Sequence, residues 1–118
     1  MGDRRVSTEE IGGTVSKTPE AKVKKQCTEM LKLLECYYFY PVTGGYGKSG
    51  VPDIVGVYQG RFFGIECKAG DNKPTALQKK NLIEIERAGG LSLLINETNV
   101  KNLESYLKEE MRCDLHLT

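Results

Sequence analysis

Residues 50–68 contain the pattern that most constrains the fold, because they form two short apolar runs separated by a two-residue turn. β-Branched and aromatic residues dominate both runs, and Gln59 and Gly60 lie between them. Glycine can adopt the positive φ that a two-residue turn requires. The sequence therefore predicts an antiparallel hairpin in which Tyr58 faces Arg61.

This register places two acidic side chains opposite each other. Partner numbers in an antiparallel pair have a constant sum, so the same register pairs Asp53 with Glu66. The β-carbons of paired residues lie about 5 Å apart, and two like charges at that spacing destabilise a sheet unless a positive charge lies between them. The sequence therefore predicts a divalent cation between Asp53 and Glu66.

The residues after Glu66 add a carbonyl group and a cation to this site. Side chains alternate along a strand, so Lys68 projects from the same face as Glu66, whereas Cys67 offers only its backbone carbonyl. Carboxylate and carbonyl oxygens are hard ligands that suit Mg²⁺ or Mn²⁺ rather than Zn²⁺. Such a metal beside an ammonium group is suited to phosphodiester hydrolysis. The alternative interpretation is a partly exposed hairpin with ordinary surface charges.

The hairpin and a later segment together resemble a nuclease signature. Pro52-Asp53 followed by Glu66-Cys67-Lys68 resembles the motif of the PD-(D/E)xK nucleases, the restriction-endonuclease-like superfamily. The sequence is similar more narrowly to the VRR-NUC branch, including its small standalone phage and bacterial members. The segments that carry this similarity are Ser49-Gly50-Val51-Pro52-Asp53, Gly64-Ile65-Glu66-Cys67-Lys68 and Leu77-Gln78.

The resemblance covers residues 19–95 and leaves both ends of the chain unaccounted for. It implies an αβββαβ core and a Mg²⁺- or Mn²⁺-dependent DNA endonuclease. It also implies a homodimer that acts on branched DNA such as four-way (Holliday) junctions, where two symmetric sites could cut two strands.

Two residues outside the hairpin also gain roles from the resemblance. Glu20 falls on the inward stripe of the first predicted helix and matches an acidic residue that reaches the metal site in these nucleases. Viewed alone, Glu20 is equally typical of a first-turn carboxylate that favours the helix dipole. Gln78 lies on the apolar face of a later helix and matches the signature glutamine, which would bind a water of the metal or the scissile phosphate. The expected catalytic residues are Lys68, Glu20, Gln78, Asp53 and Glu66; the expected metal ligands are Asp53, Glu66 and the Cys67 carbonyl, with Glu20 as a further candidate.

Residues 43–50 form a glycine-rich loop that precedes the hairpin. Its Lys48-Ser49 pair resembles the end of a Walker A motif, but the first glycine of that motif is missing and no helix follows, so we exclude ATP binding. We interpret Tyr46, Lys48 and Ser49, together with Lys73, as contacts to the DNA backbone. The alternative is a plain connecting loop.

Local signals predict the order helix, three strands, helix, strand and C-terminal helix. The predicted elements are a helix from Pro19 with Thr18 as N-cap, a strand over 36–42, the two hairpin strands, a helix from Thr75 as N-cap to about Ala88, a strand over 91–95 and a helix capped by Asn99. The aromatic residues of 37–40 are interpreted as core or interface residues, with stacking on unpaired bases as the alternative. We therefore predict one α/β domain over residues 18–118, with a restriction-endonuclease-like αβββαβ core, a mixed central sheet flanked by helices, and a C-terminal helix. Residues 1–17 are predicted to be a flexible arm.

Length and charge narrow the possible functions. A chain of 118 residues forms a single domain that can bury its own core but is small for clasping a duplex alone, which favours a homodimer. The net charge of +1 gives no overall attraction to nucleic acid, so phosphate contacts must come from local patches. The four cysteines lack the spacing of a zinc site and are interpreted as buried free thiols in a reducing compartment. With no membrane segment or signal-peptide pattern, we expect a cytoplasmic protein of a bacterial or phage-infected cell.

Two classes of function are consistent with these patterns. One is the metal-dependent endonuclease described above, and the other is a noncatalytic DNA-binding or partner-docking module on a nuclease fold. A restriction-type enzyme that recognises a fixed sequence would need base-reading segments, for which 118 residues leave little room.

Overall fold

The computed structural model describes residues 18–42 and 47–115. The arm predicted over residues 1–17 lies outside the described residues. The described chain is an α/β fold in which helices flank a four-stranded mixed sheet. Its elements are α1 (Pro19–Leu33), β1 (Tyr37–Phe39), β2 (Ile54–Tyr58), β3 (Arg61–Cys67), α2 (Ala76–Arg87), β4 (Leu91–Ile95), a 3₁₀ turn (Val100–Asn102) and α3 (Leu103–Leu107). The predicted order of elements is therefore confirmed.

The strands lie side by side in chain order, with β1, β2 and β3 antiparallel and β4 parallel to β3. The predicted hairpin register is confirmed, because Tyr58 pairs with Arg61 and Ile54 pairs with Ile65. The turn has positive φ at both Gln59 (49°) and Gly60 (84°), which is the conformation of a type I′ turn. Its backbone twist matches that of the flanking strands, so the turn stabilises this register.

Helix ends follow the predicted caps in two of three cases. Thr18 Oγ1 accepts a hydrogen bond from the Ala21 N–H at 3.1 Å, and Thr75 forms a capping box at the start of α2. The prediction that Asn99 caps the last helix is wrong. Its side chain instead accepts the Asn96 N–H and donates to the Leu94 carbonyl, because these groups at the end of β4 would otherwise lack partners.

Strand β1 is shorter than the predicted segment 36–42 and ends at Phe39. The chain leaves the sheet before Pro41, which has no N–H to donate to a ladder. Of the aromatic residues in this segment, Tyr38 packs against the core, whereas Tyr37 and Phe39 are exposed. The interpretation of these residues as core is therefore confirmed for Tyr38.

The main core lies between one face of the sheet and the helices α1 and α3. Phe63, Ile65 and Cys67 project from β3 into this core and are fully buried. Helix α2 packs on the opposite face, over β3 and β4. A side chain at Gly64 would collide there with Ile85, since an added Cβ would lie 2.8 Å from the Ile85 Cδ1 atom. The alternation of β3 thus directs Glu66 to the α2 face.

Part of the α2 face is exposed. Register places Tyr37 of β1 beside Val57 of β2, and Val57 beside Phe62 of β3, all on this face. These side chains are 71%, 40% and 43% exposed, and Phe39 on the same face is 50% exposed. The first two strands and the start of the third therefore present an open apolar surface. Among the described residues, no helix has the length and apolar character needed to cross a membrane.

Candidate active site

Asp53 lies immediately before β2 and is held against the end of β3. Its Oδ2 atom accepts a hydrogen bond from the Cys67 N–H at 2.8 Å. The N–H and C=O groups of one strand residue point to the same side, so the Cys67 carbonyl is directed towards β2 and Asp53 as well. The sequence predicted the pairing of Asp53 with Glu66 but not this hydrogen bond. This hydrogen bond uses only Oδ2, and Asp53 Oδ1 makes no hydrogen bond to any described residue.

Glu66 is a buried carboxyl group with an unsatisfied oxygen. The residue is 1% exposed, and its Oε2 atom lies 3.7 Å from Lys68 Nζ. Its Oε1 atom is buried and has no hydrogen-bond partner among the described residues. A buried acceptor without a partner costs about 1–3 kcal/mol, and a charged one costs more. A carboxyl group in this environment needs either a proton or a cation.

Burial and neighbouring charges shift the pKa of Glu66. Burial raises the pKa of Glu66 to about 8, and the negative charge of Asp53 contributes to that rise. Lys68 acts in the opposite direction, and Glu20 raises the pKa further. Asp53, Glu66 and Lys68 therefore lie together, and Glu20, in the first turn of α1, acts on Glu66 through its charge. We call these four residues the acidic cluster.

The donor atoms of the acidic cluster fit a hard divalent cation. Asp53 Oδ1 and Glu66 Oε1 lack partners among the described residues, and the Cys67 carbonyl is directed to the same side. Oxygen donors of this kind suit Mg²⁺ or Mn²⁺, and Mg²⁺ usually keeps several waters. Within the described ranges, no three acidic, histidine or cysteine side chains form a metal-binding group by themselves. The candidate donor set is thus two carboxylates and one backbone oxygen.

Gln78 has a structural role that the sequence analysis did not identify. Its Oε1 atom accepts the Thr75 N–H at 2.9 Å, and its own N–H donates to Thr75 Oγ1 at 3.2 Å. These two bonds form the capping box of α2, and the Thr-x-x-Gln spacing is the signal that predicts it. The Gln78 side chain is half-buried, and its amide nitrogen has no protein partner within the described ranges. That nitrogen is the part of Gln78 that could contact a substrate.

The residues predicted to contact the DNA backbone lie in different places. Tyr46 is outside the described residues. Lys48 Nζ binds Glu84 Oε1 of α2 at 2.9 Å, so this lysine is paired with the outer surface of α2 rather than with the acidic cluster. Ser49 and Lys73 are exposed.

Asn81 is a positioning residue that the sequence analysis missed. It is 5% exposed, and its Nδ2 atom donates to the carbonyls of Ser49 and Leu77, each at 2.9 Å. The bond to Ser49 attaches the residues just before the hairpin to α2, and the bond to Leu77 lies within α2 itself. The signal was present in the sequence, because Asn81 lies one turn after Gln78 on the face predicted to be apolar.

The Cys67 side chain belongs to the core on the other face of the sheet. It lies against Cys27 of α1, and the hydrogen bond between the two thiols, together with burial, strongly raises the pKa of Cys67. All four cysteines are free, but only Cys27 and Cys67 are buried as predicted, whereas Cys36 and Cys113 are half-buried. Cys67 therefore contributes only backbone atoms to the acidic cluster. Comparison with protein-family models and with curated proteins gives no match to this sequence.

Proposed function

We propose that this chain is a Mg²⁺- or Mn²⁺-dependent DNA endonuclease with a restriction-endonuclease-like fold of the VRR-NUC type. The observation that carries the proposal is the buried Glu66, which lies with Asp53 and Lys68 and whose Oε1 atom has no hydrogen-bond partner in the part of the chain that the structure describes. The order of elements and the mixed sheet support the fold assignment, because the PD-(D/E)xK resemblance implies an αβββαβ core.

Asp53, Glu66 and the Cys67 carbonyl would hold the cation. A bound divalent cation in such a site acts as a Lewis acid on the phosphoryl group and stabilises the leaving oxygen. Lys68 would position the attacking water, and what supports this role is its ammonium group, which lies 3.7 Å from Glu66 Oε2 on a side chain that is only 14% exposed. A cation held in a mostly buried position also stabilises the negative charge that develops on the attacking oxygen.

Glu20 and Gln78 would complete the site. The negative charge of Glu20 raises the pKa of Glu66, and in this proposal its carboxylate accepts a hydrogen bond from a water beside the cation. The free amide nitrogen of Gln78 can donate to a phosphate oxygen, while its Oε1 atom stays in the capping box. Binding of the phosphate would then be coupled to the start of α2.

The expected substrate is branched DNA such as a four-way junction, and the expected assembly is a homodimer. The exposed apolar surface of Tyr37, Phe39, Val57 and Phe62 supports a dimer, because single exposed aromatic residues are common but a contiguous patch marks an interface. The apolar side chains of helix α3 are buried in the core instead, through Leu103, Tyr106 and Leu107. The place of action would be the cytoplasm of a bacterial or phage-infected cell, where free thiols stay reduced.

The test is incubation of the purified chain with linear, flapped and four-way-branched DNA in Mg²⁺, Mn²⁺ or chelator. We expect metal-dependent cleavage, and Asp53→Asn and Lys68→Ala should each lower it by orders of magnitude with an unchanged circular-dichroism spectrum. Lys80→Ala is the matched control for Lys68→Ala, because Lys80 is an exposed lysine of α2. Full cleavage by Asp53→Asn would refute the assignment. DNA binding without cleavage or carboxylate-dependent Mn²⁺ uptake would instead identify a noncatalytic module.

A further inference from the structure

A cavity of about 570 Å³ opens beside the acidic cluster. It lies at the carboxyl ends of the parallel strands β3 and β4, which is where α/β sheets commonly bind ligands. Lys68 lines this cavity and also contacts Glu66. Any ligand in the cavity would therefore lie next to the residues proposed to cut the DNA.

Positive charge from three separate segments lines the cavity. Lys68 follows β3, Lys73 lies in the loop before α2, and Arg112 lies in the segment after α3. Neither Lys73 nor Arg112 forms an ion pair with another described residue, so both side chains are available to a ligand. The carboxylates of Asp71 and Asp114 also line the cavity, so the positive charges exceed the negative ones by one. This balance suits a ligand that brings few negative charges into the cavity, as a single nucleotide with its flanking phosphates does.

Two amide side chains offer further polar contacts. Asn96 uses its Oδ1 atom to accept hydrogen bonds from the backbone N–H and the hydroxyl group of Thr98, and its amide nitrogen has no partner among the described residues. Asn72 makes no hydrogen bond through its side chain to the described residues. Free amide groups can donate to and accept from the edge of a nucleic-acid base.

The cavity also has an apolar wall. Leu94, Pro74 and Tyr106 contribute to it and are all buried. The volume lies in the range of about 300–1,000 Å³ that is typical of small-ligand pockets. A duplex is too wide to enter a pocket of this size, but one base with its sugar and phosphate can enter.

We propose that this cavity binds one unpaired nucleotide of the DNA strand next to the scissile phosphate. The inference rests on the proposed function and explains how the enzyme would select DNA that contains an unpaired nucleotide. An unpaired nucleotide at a branch point or bulge can leave the base stack at low cost, whereas a paired nucleotide must first be unstacked. Arg112 and Lys73 contact the flanking phosphates, and Asn72 and Asn96 contact the base. Lys68 connects the cavity with the acidic cluster.

The test measures binding in chelator, where no cleavage can occur. Fluorescence anisotropy compares a labelled duplex that carries one extrahelical nucleotide with the fully paired duplex of the same sequence. We expect the full chain to bind the first duplex more tightly. Arg112→Ala and Asn72→Ala should each remove most of this preference, with a loss of about tenfold for the bulged duplex and little change for the paired one. Both residues are exposed, so neither variant should disturb folding.

Arg87→Ala is the matched control for Arg112→Ala, because Arg87 is an exposed arginine on the last turn of α2 and does not line the cavity. The inference is overturned if the unmodified chain binds both duplexes equally, or if Arg112→Ala and Arg87→Ala weaken both to the same extent. A preference for the bulged duplex that depends on Arg112, without cleavage in Mn²⁺, would keep the nucleotide site and refute the nuclease. Metal-dependent cleavage that is unchanged in Arg112→Ala and Asn72→Ala would support the nuclease and refute the nucleotide site.

Discussion

Replacing Glu66 by glutamine should stabilise the metal-free protein in a pH-dependent way. The folded state holds the Glu66 proton up to about pH 8, whereas the group's ordinary pKa is 4.5. Folding stability therefore falls as the pH rises from 4.5 to about 8, because the unfolded chain releases this proton first. Glutamine resembles the protonated carboxyl group and carries no charge at any pH. The stability of the variant therefore does not fall through this titration.

The magnitude follows from the shift of the pKa. One pKa unit corresponds to about 1.4 kcal/mol, so the full shift corresponds to roughly 5 kcal/mol above pH 8 and roughly 3 kcal/mol at pH 7. The full-shift value is a ceiling, since local rearrangement and water entry reduce the cost of a buried charge. We expect Glu66→Gln and the parent chain to be nearly equal in stability near pH 5. The variant should be more stable by about 2–5 kcal/mol near pH 9.

The assay is urea unfolding in chelator, followed by circular dichroism at pH values from about 5 to 9, with the free energy of unfolding compared at each pH. The difference in the free energy of unfolding between variant and parent reports on Glu66 alone, because the other titrating groups are common to both proteins. Mn²⁺ added near pH 9 should stabilise the parent and leave the variant unchanged. A difference that stays flat over this pH range, or a variant that is less stable near pH 9, would contradict the buried, proton-holding Glu66.

Three further outcomes are expected. The apparent affinity for Mn²⁺, measured by calorimetry, should rise by up to about tenfold per pH unit towards pH 8 and then level off, because binding must release the Glu66 proton. An affinity that does not depend on pH would contradict this coupling of metal binding to the Glu66 proton. Phe39→Glu should convert a dimer into a folded monomer in light scattering, whereas Lys101→Glu, a change at another exposed position, should leave the dimer intact; an unchanged mass for Phe39→Glu would exclude this surface. Asn81→Ala should lower the free energy of unfolding by about 1–3 kcal/mol and speed hydrogen exchange near Gly50, since the loop loses its bond to α2; unchanged exchange would show that other contacts hold the loop.

The parts of the fold that depend on neighbouring residues could be predicted from the sequence. The alternation around Gln59-Gly60 determines the hairpin register, because a shift of one residue would move every apolar side chain to the wrong face. The Thr18-Pro19 start of α1 and the Gly89 end of α2 follow from local backbone preferences. These signals need no knowledge of the remainder of the chain.

The parts that depend on tertiary contacts could not be predicted in this way. Asn99 is a residue type that favours helix caps. Its side chain is instead bound by the Asn96 N–H and the Leu94 carbonyl, two backbone groups at the end of β4. The contact of Asp53 with the Cys67 N–H depends on how the chain enters β2, which residue types do not specify. Arg112 was not singled out because it joins the cavity only through the path of the segment after α3.

The most direct test of the proposed metal site is an anomalous difference map from a crystal of this chain soaked in Mn²⁺. We predict a peak within coordination distance of Asp53 Oδ1, Glu66 Oε1 and the Cys67 carbonyl, with Lys68 beside it, and no such peak in Asp53→Asn crystals. A map from a fully soaked crystal that shows no peak among these oxygens would contradict the proposal that the acidic cluster binds a catalytic cation.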